Sequence, residues 1–263
     1  MMRAALDALD LDGAYVAFDV APERLADAVR GLDALGFDGA NVTLPHKSAV
    51  LAHLARVDPT AKLVGAVNTI AREGDALVGY NTDVEGLVGA LRAQGVTLRE
   101  SHAVVLGAGG AARAAAVGVA SEGARTVTVI ARDTSAAKAV AEAAHHAGAA
   151  VTHGYALGCE DATSALSRAT LVLQATSCGM AGGPPVDALL AGAPLGACAR
   201  GTAAMDLVYV PAFTPWMHDA ARSGLRVLEG AGAEMLARQG AIALRRWSGR
   251  EPPLDVMRAA LGL

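Results

Sequence analysis

Short apolar runs of β character alternate along this chain with stretches whose apolar positions recur at helical spacing, which is the pattern of a parallel sheet covered by helices. The run Tyr15 to Val20 reads as a strand. After Pro22, the residues Leu25, Ala28, Val29, Leu32 and Leu35 mark a helix that Gly36 stops. GANVTL is the next strand, and Pro45 is expected to open a helix, where a missing N–H costs nothing. VGAVNTI and ALVGY flank Glu73-Gly74-Asp75, so they are expected to pair as an antiparallel hairpin.

Past Asp83 the helix VEGLVGALRAQG reads as a connector to a second region. That region runs strand Ala103 to Gly107, helix Ala111 to Glu122, strand Thr126 to Ile130, helix Ser135 to Ala147, strand Leu171 to Ala175 and strand Ala204 to Tyr209, a doubly wound order. From Gly232 to Leu263 two helices are expected, separated by Gly249 to Pro253 and folding back on the first region, because RVLEG leaves no room for a third core. The expectation is therefore an α/β protein of two domains: residues 1–84, joined by the C-terminal helices 232–263, and a doubly wound domain of Rossmann type at 85–231.

Composition narrows the function classes. The chain has 263 residues, with 22 basic against 26 acidic side chains, and no basic stripe points to a nucleic acid. Apolar residues make up 53%, yet charges interrupt them before the ~20 residues of a membrane span, so no membrane partner is expected. Three cysteines without ligand spacing, and an N-terminus without a signal-peptide profile, fit a reducing cytoplasm and no metal. A small molecule is the expected partner; monomer or homodimer stays open.

Candidate chemistry sits where apolar runs end. NVTLPHK puts Lys47 after one such run, and NTD puts Asp83 after another. A lysine held by a carboxylate can take the proton of a secondary alcohol as hydride leaves, or return it to a ketone. Each residue also has a plain structural reading, Lys47 as a surface charge and Asp83 as a helix N-cap. GAGGAA (Gly107 to Ala112) follows a strand and opens a helix, matching the dinucleotide turn G-x-G-x-x-A at Gly107, Gly109 and Ala112. Arg132, just past the following strand, suits a 2′-phosphate, whereas Asp133 keeps NAD open beside NADP.

Seven segments in register, NVTLPHK, GAVNTI, GYNTDVEGL, VVLGAGGAARA, LVLQATSCGM, MDLVYVPAFTPW and EMLARQGAIALRRW, resemble the shikimate/quinate dehydrogenase family over nearly the whole chain. The resemblance implies a two-domain oxidoreductase of the chorismate pathway, reducing 3-dehydroshikimate to shikimate with NADPH, with hydride crossing a cleft between a substrate-binding domain and the Rossmann domain. It implies Lys47 and Asp83 as the catalytic pair. Thr43, Asn68 and Gln239 would bond ring hydroxyls, and Tyr209 would lie near the substrate carboxylate. Gly107, Ala108, Gly109, Gly110, Ala111, Ala112, Arg132, Thr176 and Gly232 would meet the nucleotide. Asn41 would support the site from behind, and His46 and Cys178 would be structural.

The chain departs from that pattern in places. Ala131-Arg132-Asp133 replaces the family's Asn-Arg-Thr, and Gln174 replaces its usual Asn. The family's opening strand and Ser-x-Ser-Pro segment have no match, since MMRAALDALDLDG aligns with the helix that follows them. Without that segment, a sheet edge and the substrate carboxylate would each lack a partner. An NAD-linked quinate enzyme, or a nucleotide-binding relic that has lost catalysis, is the alternative expectation.

Overall fold

The structure, a computed structural model, describes residues 1–263 and divides into two compact units, Met1–Gly86 with Leu236–Leu263, and Leu87–Met235. In chain order the first unit holds α1 (Met2–Ala8), α2 (Leu25–Ala34), β1 (Gly39–Asn41), β2 (Arg56–Val57), α3 (Pro59–Val64), β3 (Thr69–Glu73) and β4 (Ala76–Tyr80). Helix α4 (Asp83–Ala93) begins in this unit. The second unit holds β5 (His102–Leu106), α5 (Gly110–Ser121), β6 (Thr126–Ala131), α6 (Thr134–His146), β7 (Val151–Ala156), α7 (Glu160–Ser167), β8 (Leu171–Gln174), α8 (Asp187–Gly192), β9 (Ala203–Asp206), α9 (Pro215–Arg222) and β10 (Arg226–Val227). Helix α10 (Ala231–Ser248) begins there, and its later turns join α11 (Leu254–Ala259) in the first unit.

In the first unit a four-stranded sheet has the order β1-β3-β4-β2, with β3 and β4 paired antiparallel from Thr69↔Tyr80 to Glu73↔Ala76. Gly74 turns that hairpin at φ 60, a conformation that costs glycine nothing. Leu25 and Val29 of α2 pack with Val50, Val67, Ile70 and Leu77 into one small core. Ala71, Val78 and Tyr80 pack with Trp247 of α10. Trp247 donates from Nε1 to the Ile70 carbonyl at 2.8 Å, and a Cβ at residue 39 would sit 2.2 Å from both of those atoms. Only glycine allows β1 and the indole to share that carbonyl's neighbourhood.

In the second unit the parallel sheet runs β10-β9-β8-β5-β6-β7. Its central strands β5 and β8 read as apolar runs because both faces are covered, and the alternation of side chains divides the strands between two cores. Val105, Val127, Val129, Leu173 and Met205 meet α5 and α6 on one face. Val104, Leu106, Ile130, Val172 and Ala204 meet α7 and α9 on the other.

Three expectations are corrected. Tyr15 to Val20 forms no strand: Val16 and Phe18 are 51% and 62% exposed, and its backbone has no ladder partner, the Val20 carbonyl meeting the His46 ring instead. β propensity without a neighbouring strand does not make a strand. Pro45 opens no helix, because the backbone turns from Thr43 to His46 and coils as a 3-10 segment only at Ala49–His53. Strand β9 stops at Asp206, where the carboxylate takes the Val208 N–H, so Tyr209 lies beyond the sheet.

Candidate active site

The polar site of the first unit grows from the ends of its central hairpin. Val42 N–H bonds the Asn68 carbonyl, Asn68 N–H bonds the Tyr80 carbonyl, and Val67 N–H bonds the Lys47 carbonyl at 2.7 Å. These bonds hold the loop after β1 beside the entry to β3 and the exit of β4. Lys47 Nζ then lies 2.7 Å from Asp83 Oδ2. Asn68, 2% exposed, donates from Nδ2 to Asp83 Oδ1 at 2.8 Å and accepts the Thr82 N–H on Oδ1 at 2.7 Å. Both carboxylate oxygens are therefore engaged, one by an ammonium and one by an amide.

Gln239 of α10 reaches the same cluster, its Oε1 lying 3.3 Å from Asn68 Nδ2 and 3.4 Å from Thr82 Oγ1. Asn41 backs it, donating to Thr69 Oγ1 at 3.3 Å and accepting the Tyr15 hydroxyl at 2.9 Å. Asn81 pins the turn by donating to the Ala66 carbonyl at 2.9 Å. Thr43 is exposed on the Lys47 loop, with one long contact of 3.5 Å to the Leu44 carbonyl, and stands outside this cluster. Thr69 and Thr82 were not anticipated as members, although Thr82 is the central residue of the NTD motif that pointed to Asp83.

The Lys47 side chain keeps 20% of its surface while Asp83 keeps 8%. An ammonium so held can pass a proton to a small molecule that reaches its open side, and the buried carboxylate keeps it aimed.

In the second unit the sheet order reverses between β5 and β8, the point at which open α/β sheets bind ligands beyond their strand ends. The GAGGAA turn leaves β5 there. Gly107 has φ 114, and a Cβ on it would lie 3.0 Å from Thr176 Cγ2. Gly109 caps α5 without a side-chain bond, and nothing lies within 4 Å of where its Cβ would be. The opening N–H groups at Gly110, Ala111 and Ala112 receive no side-chain cap, which leaves them for a ligand such as a pyrophosphate. Ala108 packs at the edge of the core beneath them.

Arg132 stands just past β6, exposed and with no hydrogen bond or ion pair. Its neighbour Asp133 is committed to α6, accepting the Ser135 and Ala136 N–H groups on Oδ1 at 2.8 and 3.2 Å. The carboxylate that kept NAD in play is a helix cap. Thr176 accepts the Cys178 N–H, and Gly232 is buried against the carbonyls of Asp206 and Val208, 2.9 and 3.2 Å from where its Cβ would be. Tyr209 is 46% exposed.

Sequence reasoning missed Asp206. It is 3% exposed, and burial pushes its carboxyl up to about 6 against the pull of bonds from Thr214, Val208 and Gln174. An acid closing the apolar strand of MDLVY was the available signal. The buried Cys198 thiol is likewise pushed up to about 11, which leaves it unreactive.

The fold and site together define a two-unit α/β protein, with a dinucleotide-type sheet in one unit and a lysine–carboxylate pair in the other. Residues 1–70 match the shikimate dehydrogenase substrate binding domain, and residues 232–261 match the shikimate 5'-dehydrogenase C-terminal domain. A shikimate dehydrogenase (NADP(+)) of Citrifermentans bemidjiense is 45% identical over 99% of this chain and 88% of its own length. The chain belongs to the shikimate dehydrogenase family.

Among solved structures, the shikimate 5-dehydrogenase of Thermus thermophilus in complex with NADP(H) and shikimate has a TM-score of 0.83 and 36% identity, covering 99% of this chain and 92% of that one. The quinate dehydrogenase of Corynebacterium glutamicum in complex with NAD has a TM-score of 0.84 at 28% identity, covering 99% and 92%. No helix is long and apolar enough to cross a membrane.

Proposed function

We infer that this protein is an NADP-dependent shikimate dehydrogenase, interconverting shikimate and 3-dehydroshikimate in the pathway to aromatic amino acids. The observation that carries this is the Lys47–Asp83 pair at 2.7 Å, fixed from behind by Asn68. NADP, when bound, supplies or accepts the hydride. In ketone reduction Lys47 Nζ gives a proton to the oxygen that becomes the hydroxyl, and in alcohol oxidation it takes that proton back. Asp83 holds the ammonium in place, and its own second oxygen is kept by Asn68. Asn68 and Gln239 offer amides to the remaining ring hydroxyls, joined by Thr43 once a ligand gives its hydroxyl a partner. Each buried hydroxyl so paired avoids a penalty of ~1–3 kcal/mol. Tyr209 contributes its hydroxyl toward the substrate carboxylate.

The residues present fit the nucleotide. The open Gly109 turn and the bare N–H groups of Gly110, Ala111 and Ala112 suit a pyrophosphate, with Gly107 and Ala108 shaping the approach. Thr176 and Gly232 line the neighbouring strand ends. Arg132, without an internal partner, suits a 2′-phosphate, and the commitment of Asp133 to α6 favours NADP over NAD. The three free cysteines support a cytoplasmic setting.

The test is direct. Purified protein is mixed with shikimate and NADP while nicotinamide absorbance is followed, then with NAD and with quinate in each combination. Shikimate with NADP is expected to give the highest kcat/KM. A flat trace for that pair, from protein shown to be folded and to bind both ligands, would refute the reading.

A further inference from the structure

We propose that Asp206 is a positioning residue for hydride transfer, its buried carboxylate tying the segments that follow β8 and β9 into one ledge beside the nucleotide turn. The inference rests on the nucleotide reading of that turn given above.

The carboxylate closes the segment after β9 and lies in register with Gln174, which closes the segment after β8. Oδ2 accepts the Thr214 hydroxyl at 2.6 Å and Oδ1 accepts the Val208 N–H at 2.9 Å, which closes the loop from Asp206 to Thr214 upon itself. Gln174 is the register partner of Asp206 on the neighbouring parallel strand, and the Leu207 N–H bonds the Gln174 carbonyl at 2.9 Å. Gln174 is fully buried and clamps the other segment, accepting the Thr176 N–H on Oε1 at 2.5 Å and donating from Nε2 to the Cys178 carbonyl at 3.0 Å. Thr214 also caps α9 by accepting the Met217 N–H at 3.1 Å, so the far end of the loop is anchored to a helix.

Both nucleotide glycines rest on this network. The Cβ position of Gly107 is 3.0 Å from Thr176 Cγ2, and that of Gly232 is 2.9 Å from the Asp206 carbonyl. A displacement of either segment therefore alters the surface that a ligand at the β5/β8 switch point meets.

Stability alone does not account for an acid here. Burying a carboxylate is costly even when its lone pairs are filled, and an apolar side chain of similar size would avoid that cost. Its burial, which raises the carboxyl to about 6, is consistent with a group retained for the geometry it imposes. Hydride transfer is sensitive to such geometry, since a misplacement of about 1 Å can lower a rate by about 10²-fold.

The test compares full-length Asp206→Asn, Thr214→Val and Thr214→Ser with the unmodified protein, measuring kcat, the KM for NADP and shikimate affinity in oxidation, and the primary isotope effect with deuterated NADPH in the reduction of 3-dehydroshikimate. Asp206→Asn and Thr214→Val are expected to lower kcat by about 10–100-fold with a larger isotope effect, leaving shikimate affinity and the KM for NADP nearly unchanged. Thr214→Ser keeps the hydroxyl and should restore kcat. Unchanged kcat in Asp206→Asn would overturn the proposal, as would a fall in kcat accompanied by equal losses in both affinities. Should Asp206→Asn fail to fold, the Thr214 pair decides, and equal activity of its valine and serine forms overturns the proposal. Unmodified protein inactive with shikimate and NADP would remove the functional reading and this inference together, whereas active unmodified protein with an unaffected Asp206→Asn removes only this inference.

Discussion

Lys47 Nζ and Asp83 Oδ2 lie 2.7 Å apart although 36 residues separate them in the chain. The sheet makes the meeting possible, because one residue follows β1 and the other follows β4, with β3 paired between. If the two act as one unit, substituting either removes the same function. In a cycle of Lys47→Ala, Asp83→Ala and the double variant, each single change should lower kcat by about 10²–10⁴-fold. The double variant should lose little more than the worse single one. Losses that multiply, read from kcat/KM for shikimate, would show that the two residues act independently.

Arg132 has no internal partner, so its removal is expected to cost the folded chain little and, on the proposed role, to weaken the hold on a 2′-phosphate. Arg132→Ala should lower kcat/KM for NADP by about 10–100-fold, the worth of one or two charge-assisted bonds, and leave NAD nearly unaffected. Steady-state kinetics with both nucleotides checks this. Equal losses for the two would mean that Arg132 does not read the phosphate.

Gly39→Ala introduces a methyl where the Ile70 carbonyl and Trp247 Nε1 already lie, each 2.2 Å from the new carbon. Backbone and a packed indole must both give way, and the bond between them lengthens. The expected cost is about 1–3 kcal/mol in denaturant unfolding. A variant as stable as the parent would contradict the packing described for this edge.

Asp206 predicts a pH dependence of stability. Its folded-state carboxyl is raised to about 6 from an ordinary 3.8, so the folded chain keeps a proton that the unfolded chain has already released. That contribution is complete below the ordinary value and is lost as pH rises through about 6. Relative to Asp206→Asn, the unmodified protein should lose roughly 3 kcal/mol of stability between about pH 4 and pH 7, since each tenfold change in proton affinity is worth about 1.4 kcal/mol. Denaturant titrations across that range check it, and a difference that stays flat would contradict the assignment.

The second unit was the more legible in sequence because parallel strands buried on both faces leave continuous apolar runs, and LVLQ and AVVL stand out at once. The β3–β4 hairpin was legible through Gly74 and its acidic neighbours. Tyr15 to Val20 misled because strand propensity is local whereas a strand needs a partner that only tertiary structure supplies. Lys47, Asp83, Asn68 and Gln239 were found from motifs, and the structure brings all four into contact within the first unit. Thr43 was found from the same motif but stands apart in an exposed turn. Asp133 carries the same charge in either reading, and only its bonds to Ser135 and Ala136 separate a helix cap from a ribose contact. Asp206 escaped notice because burial, the property that sets it apart, is not visible in a string of residues.

The proposed division of labour has Lys47 move the proton while other residues hold the nucleotide. It is tested most directly by measuring shikimate oxidation and NADP affinity side by side in the unmodified protein and in Lys47→Ala. In Lys47→Ala, kcat is expected to fall by about 10²–10⁴-fold with NADP affinity unchanged. A Lys47→Ala protein that turns over shikimate at the unmodified rate would contradict it.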